Sequence, residues 1–346
     1  MAETRIEWAD SVWNPVTGCS KASEGCRNCY AERMVKRLAG RCGYPKEEPF
    51  RVTLHPERLE EPLHWRTPRR VFANSMGDLL HPDVPDEYIL RVFAVMELTK
   101  HHTFLILTKR PERMQQLLSS EDFQEEVWAA RDRLIDEHCV PRELTAGLTY
   151  WEQHDERDEG VCERTMFCFE PGPSFPLPNV WLGVSVENQR TADERIPMLL
   201  QTPAAVRFVS CEPLLGTVHL AHFLGATGNV AGLDWVIAGG ETGPGARPMH
   251  PDWARSLRDQ CQAAGVPFFF KSWGEHLPVY DRDDDPDWRQ CTEAERETPH
   301  GRWLNLAGGY GFHGQRVVRV VRIGKRHAGR RLDGREWNQM PEVDTR

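Results

Sequence analysis

The run Thr103-Phe104-Leu105-Ile106-Leu107-Thr108-Lys109-Arg110 decides the fold class, because an unbroken apolar segment ends abruptly in charged residues. Short continuous apolar runs of this kind are typical of strands that are buried on both faces of a parallel sheet. Five further runs have the same pattern, at residues 71–75, 180–185, 206–210, 235–241 and 266–271. The sequence therefore predicts an α/β protein built on a mainly parallel sheet.

Helical patterns lie between these runs and complete β-then-α units. Residues 86–100 carry apolar side chains at helical spacing, and residues 250–264 begin with Pro251 and end before Gly265, as capped helices do. Two more strands are predicted near residues 12–16 and 51–54. Eight units predict a (β/α)8 TIM-type barrel, either closed or partial. A partial barrel of six strands and a doubly wound open sheet remain as alternatives.

Two segments interrupt this alternation and set the predicted domain boundaries. Residues 121–178 are rich in charge, end in several prolines and contain Cys162 and Cys168. We expect them to form an insertion after the fourth strand, in which the two cysteines could bind a second metal. Residues 1–275 form the predicted barrel. Residues 276–346 are predicted to be an irregular segment and a small, basic C-terminal β-hairpin, with a strand at residues 317–323.

The charge of the chain is uneven. The 346 residues carry a net charge of −9, which gives no general attraction to nucleic acid. Residues 314–335, however, contain eight basic residues and a single acidic one, so they predict either a solvated strand face or a phosphate-contacting patch for nucleic acid. No apolar run is long enough to span a membrane, and the N-terminal sequence lacks a secretory pattern. We therefore expect a cytoplasmic protein without a membrane partner.

Three cysteines lie on one short predicted loop near the start of the chain. Six residues separate Cys19 from Cys26, and two separate Cys26 from Cys29. Three thiolates can hold three irons of a cubane cluster and leave the fourth iron open to a small molecule. A structural zinc completed by His55 or Cys42 is an alternative, and so are buried thiols without a metal. A disulfide framework is not expected in a long chain without a secretory signal.

Polar residues follow nearly every predicted strand, at the ends where β/α barrels place their functional groups. The candidate binding residues at this rim are Ser75, Asp78, Lys109, Ser185, Glu187, Glu212, Gly239, Gly240, Glu241 and Lys271. Carboxylates suit an ammonium group and cations suit a carboxylate, so the rim predicts a zwitterionic ligand. The paired glycines are expected to let the backbone approach that ligand closely.

Several of these segments resemble a phage- and prophage-associated three-Cys-motif protein family of no settled activity. The segments are Asn14-Pro15-Val16-Thr17-Gly18-Cys19 through Cys29-Tyr30, Leu182-Gly183-Val184-Ser185-Val186-Glu187-Asn188, Ser210-Cys211-Glu212-Pro213-Leu214, Gly239-Gly240-Glu241 and Asp333-Gly334-Arg335-Glu336-Trp337. The resemblance covers nearly the whole chain apart from residues 121–178. It implies a phage or mobile-element context and no particular reaction.

The cysteine loop is also similar to that of the radical S-adenosylmethionine superfamily. That resemblance implies a [4Fe–4S] cluster on Cys19, Cys26 and Cys29, with S-adenosylmethionine on the open iron. It places Tyr30 or Asn28 near the adenine. The first cysteine spacing is six residues here and three in the superfamily. The Gly-Gly-Glu element follows the seventh predicted strand and not the second, so Ser75 and Glu187 are candidates for the methionine moiety beside Glu241.

These observations predict an iron–sulfur enzyme of the radical S-adenosylmethionine type that requires an electron donor. Its substrate is not encoded in any motif, although the phage resemblance and the basic segment favour a nucleic acid or a nucleotide. A zinc-stabilised nucleic-acid-binding or nuclease-like protein is the main alternative. A non-catalytic partner subunit with the same fold is another.

Overall fold

The computed structural model describes residues 4, 6–137, 140, 142–145, 150–152, 167–169, 175–225, 231–285 and 301–342. The strands are β1 Ser11–Trp13, β2 Val16–Thr17, β3 Thr53–Leu54, β4 Arg70–Ala73, β5 Thr103–Thr108, β6 Tyr150–Glu152, β7 Phe167–Phe169, β8 Val180–Ser185, β9 Val206–Cys211, β10 Trp235–Gly239, β11 Phe268–Ser272, β12 His276–Asp281, β13 Gly301–Leu304, β14 Val318–Arg322, β15 Arg331–Leu332 and β16 Arg335–Glu336. The helices are α1 Tyr30–Leu38, α2 Pro56–Leu59, α3 Asp86–Leu98, α4 Pro111–Leu118, α5 Phe123–Asp136, α6 Arg142–Thr145, α7 Gln189–Gln201, α8 Pro251–Ala264 and α9 Lys325–Ala328. None of these helices is both long enough and apolar enough to cross a membrane.

Seven parallel strands form one open sheet in the order β1-β4-β5-β8-β9-β10-β11. Neighbours in the sheet follow each other along the chain, so every crossover runs in the same direction. Crossovers between parallel strands are right-handed, and a run of them in one direction places the helices on one face of a curled sheet. The predicted partial α/β barrel is confirmed, and the doubly wound order is wrong.

One of the eight predicted strands, the second along the chain, does not join the sheet. The segment near residues 51–54 contains β3, which pairs antiparallel with β2 in a separate two-stranded ribbon. Both residues of β3 are only half-buried. A strand in the middle of this sheet needs side chains that can be buried on both faces, and Arg51-Val52-Thr53-Leu54 offers too few apolar ones.

The two faces of the sheet bury different cores. In β10, Val236 and Ala238 pack in the core that includes the helices, whereas Trp235 and Ile237 point to the opposite, concave face. This alternation follows from the period of two in a strand. The same split occurs in β11, where Phe268 and Phe270 pack in the core that includes the helices and Phe269 faces the concave side.

An aromatic cluster fills the part of the concave face near the starts of the strands. The Trp235 ring lies at its centre, with centroid distances of 6.3 Å to Trp8, 5.9 Å to Trp181, 5.7 Å to Phe208 and 6.1 Å to Phe269. Edge-to-face arrangements at these distances stabilise aromatic clusters. The cluster forms a floor, so any cavity in the half-barrel lies toward the carboxyl ends of the strands.

Part of the predicted insertion belongs to the main core. Helix α5 packs on α3, where the Phe93 and Phe123 rings lie 5.2 Å apart. Strands β6 and β7 then form an antiparallel pair, and Cys168 belongs to β7. Cys162, the other cysteine of the predicted second metal site, lies outside the described residues.

The C-terminal segment covers the open edge of the sheet. The Trp337 carbonyl accepts a hydrogen bond from the Phe270 amide, and the Gln339 amide donates to the Phe268 carbonyl, so residues 337–339 run antiparallel along β11. Covering an edge strand in this way protects it from pairing with other chains. The strand predicted at residues 317–323 is β14, the middle of a three-stranded antiparallel sheet with β12 and β13. The β15–β16 hairpin follows it.

Candidate functional site

A cavity of about 620 Å³ opens above the aromatic floor, at the carboxyl ends of the strands. All three cysteines of the loop line it. Ten of the predicted rim and adenine residues line it as well: Asn28, Tyr30, Ser75, Asp78, Lys109, Ser185, Glu212, Gly240, Glu241 and Lys271. Residues that are far apart in the sequence therefore converge because parallel strands end at the same rim.

The cysteine loop has a defined backbone. A 3-10 turn spans Glu24–Cys26, and helix α1 begins directly after Cys29. The turn is closed by hydrogen bonds from the Cys26 amide to the Ser23 carbonyl and from the Arg27 amide to the Glu24 carbonyl. Cys26 and Cys29 therefore lie on successive short turns, and both thiols are half-buried.

Two carboxylates from the strand ends anchor this loop. The Ser23 hydroxyl donates to Glu187 at 2.6 Å, and the Asn28 amide donates to Glu241 at 2.9 Å. Arg247 holds Glu241 from the other side, with its Nη2 at 2.7 Å and its Nε at 3.0 Å. Burial opposes the ionisation of Glu241, yet the Arg247 and Asn28 donors keep its pKa below the ordinary value. Both carboxylates thus serve the loop as fixed acceptors.

Cys19 is held by a second ion pair. Arg110 donates from Nη1 to the Cys19 Sγ at 3.4 Å and to Asp78 at 2.7 Å. Burial and the nearby Asp78 charge raise the pKa of the Cys19 thiol to about 11, against the opposing influence of Arg110. Without a bound metal this thiol is therefore protonated at neutral pH. A thiol must lose its proton to bind a metal, so metal binding at Cys19 would release that proton.

An ion pair lies inside the cavity. The Lys271 ammonium donates to both carboxylate oxygens of Glu212, at 2.5 Å and 2.8 Å. Burial disfavours the charge on Lys271, but Glu212 more than offsets that cost, and the pKa of Lys271 lies above its ordinary value. The two groups present one negative and one positive charge to a ligand, as the rim predicts.

Asn74, in the cavity wall, has a buried side-chain amide without a hydrogen-bond partner among the described residues. It follows β4, is 3% exposed, and neither its Oδ1 nor its Nδ2 makes a hydrogen bond with any described residue. Its φ of 62° lies in the left-handed region that asparagine tolerates. A buried amide without a partner costs free energy, so this side chain points to a ligand that completes its hydrogen bonds.

Two predicted rim residues do not line the cavity. Glu187 is fully buried beneath the cysteine loop, where Ser23 and Arg195 occupy its two oxygens. The structure therefore does not bring Glu187 into the cavity wall, and its role at a ligand stays a prediction. Gly239 ends β10 behind the rim. Gly240 does line the cavity, but a side chain there would collide with the Trp273 carbonyl, so its glycine serves close backbone packing.

The other candidates from the sequence are placed as follows. The Tyr30 hydroxyl donates to the Ser75 carbonyl at 3.0 Å, which fixes the first turn of α1 against the end of β4. Ser75 donates its own hydroxyl to Asn14 at 3.2 Å. The Asn28 side-chain NH2 group donates to Glu241 and to the Gly245 carbonyl, so both of its hydrogens are already engaged.

The donor set tests which metal the loop suits. His55 is a poor zinc ligand, because Thr17 and Glu57 occupy its two ring nitrogens at 2.8 Å and 3.1 Å. Cys42, the other candidate ligand, is exposed and is not part of the cavity wall. Across the described ranges no three His, Cys, Asp or Glu side chains converge on one metal ion. Three separate soft thiols on one cavity wall suit a cluster, in which each thiolate binds its own iron.

Part of the basic C-terminal segment forms ion pairs within the fold. Arg316 forms ion pairs with three aspartates, at Asp252, Asp281 and Asp284. Lys325 pairs with Glu7 at 3.1 Å. These two of the eight basic residues of the segment are therefore paired, and the phosphate patch predicted over residues 314–335 stays a prediction.

Two arginines that build the site are not among the residues that the sequence predicts. Arg195 lies on α7, eight positions after Glu187, and no spacing rule links a strand-end acid to that position. Arg247 ends the Gly-rich loop after β10, six positions after Glu241. A basic residue at that position is a sequence feature that can indicate pairing with the acid at the start of the loop. Both residues act by fixing the carboxylates that hold the cysteine loop.

Comparison with known families places the chain. The family described as "Protein of unknown function (DUF5131)" matches residues 3–341. The chain belongs to this family. The search of curated proteins gave no match.

Among solved structures, the chain is similar to a mutant of spore photoproduct lyase with bound AdoMet and dinucleoside spore photoproduct. That match has a TM-score of 0.36 and 9% identity, over 91% of this chain and 68% of the other. Spore photoproduct lyase complexed with dinucleoside spore photoproduct matches with a TM-score of 0.36 and 10% identity, over 89% of this chain and 67% of the other.

Proposed function

We propose that this protein is an iron–sulfur enzyme of the radical S-adenosylmethionine type. The observation that carries the proposal is the shared cavity: three thiols from one loop and polar groups from the ends of several strands line the same space. Its volume of about 620 Å³ lies within the range of small-molecule and cofactor sites. The two remaining readings of the loop, zinc and buried thiols, explain the convergence less well.

The cluster would be held by Cys19, Cys26 and Cys29. Soft thiolates are the ligands that iron–sulfur clusters take in proteins. The anchors described above, Glu187 and Glu241, keep the loop rigid, which is what a cluster site requires of its surroundings. When bound, the cluster and S-adenosylmethionine would supply one-electron chemistry, with the electron coming from an external donor.

The polar groups of the cavity would hold the zwitterionic part of the cofactor. Glu212 can accept from an ammonium group and Lys271 can donate to a carboxylate. The Asn74 amide offers one free donor group and one free acceptor, so it can bind either kind of partner. A cavity with these three groups binds and orients a charged small molecule while the aromatic floor excludes water from below.

The direct test is anaerobic reconstitution of the full-length protein with iron and sulfide. We expect about four irons per chain, the content of one cubane, together with the electron paramagnetic resonance signal of a reduced cluster. Cys26→Ala should abolish both. Cys42→Ser is the matched control, because Cys42 is exposed and outside the cavity, and it should keep the full iron content.

Two outcomes would redirect the proposal. Stoichiometric zinc without iron-dependent absorbance would replace the cluster by a structural zinc site. An intact cluster with no binding of S-adenosylmethionine in equilibrium dialysis would indicate a non-catalytic partner subunit. The phage-associated context stays a prediction from the resemblance alone.

A further inference from the structure

A second cavity, of about 550 Å³, lies on the other side of the cysteine loop. Arg27, Arg247, Arg302 and Arg322 line it, and no carboxylate does so among the described residues. Asn28 belongs to the walls of both cavities. We call this second cavity the arginine cleft. It brings cations from the cysteine loop, the loop after β10, and strands β13 and β14 to one place.

The charges of the cleft are only partly balanced. Arg247 pairs with Glu241, and Arg322 has Glu275 at 3.7 Å. Arg27 and Arg302 have no carboxylate within ion-pair distance in the part of the chain that the structure describes. Two exposed guanidinium groups without counter-charges therefore face one cavity, which favours an anion there.

A buried histidine in the wall points to a ligand independently of these charges. His276 is 8% exposed, and its Nδ1 is buried without a hydrogen-bond partner among the described residues. Leaving a buried ring nitrogen unpaired costs free energy. A ligand with hydrogen-bonding groups would remove this cost, and the surrounding arginines would attract such a ligand if it carried negative charge.

An exposed aromatic ring completes the cleft. The Tyr310 side chain is 47% exposed, and the Arg302 guanidinium lies 5.2 Å from its ring centroid. Phe312, two residues later in the same loop, is also 47% exposed. Proteins bind single-stranded nucleic acids with exposed aromatic rings interleaved with arginines, because the bases stack on the rings while the phosphates pair with the cations.

We propose that the arginine cleft binds single-stranded nucleic acid. Guanidinium groups pair with phosphate oxygens bidentately, and Arg27 and Arg302 are the two available for this. Tyr310 would stack a base. Because Asn28 separates the cleft from the first cavity, a strand held here would run beside the cysteine loop. Binding in the cleft needs no cluster, so it stands apart from the function proposed for the first cavity.

The test is fluorescence anisotropy of a labelled oligonucleotide of about 12 nucleotides, within the site sizes of single-strand binders. The full-length protein is titrated at several salt concentrations. The variant pair Arg27→Gln with Arg302→Gln should weaken binding at least tenfold, because each substitution removes charge-assisted hydrogen bonds to a phosphate. It should also reduce the log–log salt slope by roughly 0.7 for each lost phosphate contact. Tyr310→Ala should weaken binding and leave that slope unchanged.

The matched control is Arg326→Gln with Arg331→Gln. Both residues are exposed, lie outside the cleft and produce the same change in net charge. If this control pair weakens binding as much as the cleft pair, the cleft assignment is overturned and attraction is due to overall charge. Absence of binding at low salt would overturn it as well. Equal displacement of the oligonucleotide by a mononucleotide, at equal nucleotide concentration, would show a free-nucleotide site in place of a strand-binding cleft.

Discussion

The two walls of the first cavity treat their polar side chains in opposite ways. In the wall formed by the ends of β8 and β10, Glu241 has both carboxylate oxygens engaged by fixed donors, and so has Glu187 behind that wall, beneath the cysteine loop. On the wall formed by the end of β4, Asn74 has no partner among the described residues. All three residues are at most 5% exposed, so burial does not distinguish them.

This difference separates supporting groups from binding groups. A buried charge that is fully paired stabilises the arrangement around it and has nothing left to offer a ligand. A buried polar group without a partner is costly unless something else completes it. Glu187 and Glu241 therefore hold the cysteine loop. The Asn74 amide on the opposite wall is left to face a ligand, beside the partly exposed Glu212–Lys271 pair.

The largest expected effect comes from breaking the paired wall. Arg195→Met should lower the free energy of unfolding by about 3 kcal/mol or more, because it leaves the fully buried Glu187 without its closest cation. Among the described cations, Lys109 at 3.9 Å would remain near that carboxylate. Chemical denaturation monitored by circular dichroism measures the change.

Arg190→Met is the control on the same helix. Arg190 is 71% exposed in its side chain and pairs only with Glu194 at 3.9 Å, so its loss should change the unfolding free energy by less than about 1 kcal/mol. Equal losses of unfolding free energy in the two variants would show that Glu187 does not need the Arg195 ion pair, and the distinction between the two walls would fail.

The same distinction marks what the sequence can and cannot predict. Apolar runs such as the one ending at Lys109 predict the strands, and the strand ends predict a shared rim, because both follow from local pattern and parallel topology. The exclusion of residues 51–54 from the sheet was not predicted. A strand at these residues is favoured by the count of eight β-then-α units in a barrel, and the segment itself is not apolar enough to predict a buried strand.

Partners of individual side chains lie beyond such patterns. Glu187 and Glu212 each follow a buried strand and look alike in the sequence, yet one is fully buried under the loop and the other lines the cavity with Lys271. The deciding feature is Arg195, which arrives from α7. Long-range pairing of this kind depends on how a helix packs, and one sequence contains no local signal for it.

His102 sharpens the comparison, because its two ring nitrogens are buried without a hydrogen-bond partner in the described part of the chain and it lies outside both cavities. It precedes β5, is 1% exposed, and packs against Trp65 and Phe104. Burial, followed by the nearby His101, lowers the pKa of His102 to about 4. The unfolded chain takes up a proton near pH 6.5 and the folded protein does not until about pH 4. Stability should therefore fall on acidification across this interval, by up to about 1.4 kcal/mol per pH unit from this group.

His102→Phe tests that assignment. The variant keeps a ring among aromatic neighbours and removes the proton uptake, so its unfolding free energy should depend less on pH than that of the unmodified protein between about pH 6 and pH 5. The exposed His222 supplies a matched substitution, His222→Phe, which should keep the original pH profile. Identical pH profiles for the His102→Phe variant and the unmodified protein would assign the acid sensitivity to other groups.

The smallest expected effect on stability belongs to Asn74, and it is the most informative. Asn74→Gly removes an amide that makes no hydrogen bond and places glycine at a φ of 62°, which glycine adopts without strain. We expect the unfolding free energy to change by less than about 1 kcal/mol, because relieved strain and lost burial cost offset the added backbone freedom. Binding of S-adenosylmethionine to the reconstituted protein, measured by equilibrium dialysis, should nevertheless weaken at least about tenfold, the effect of one lost hydrogen bond to a charged group.

Asn14→Gly is the contrasting variant, because Asn14 accepts hydrogen bonds from Ser75 and from the Met76 amide. It should lower stability where Asn74→Gly does not. If Asn74→Gly destabilises the protein as much as Asn14→Gly and leaves binding unchanged, the amide has a structural partner and both walls of the cavity are of the same kind.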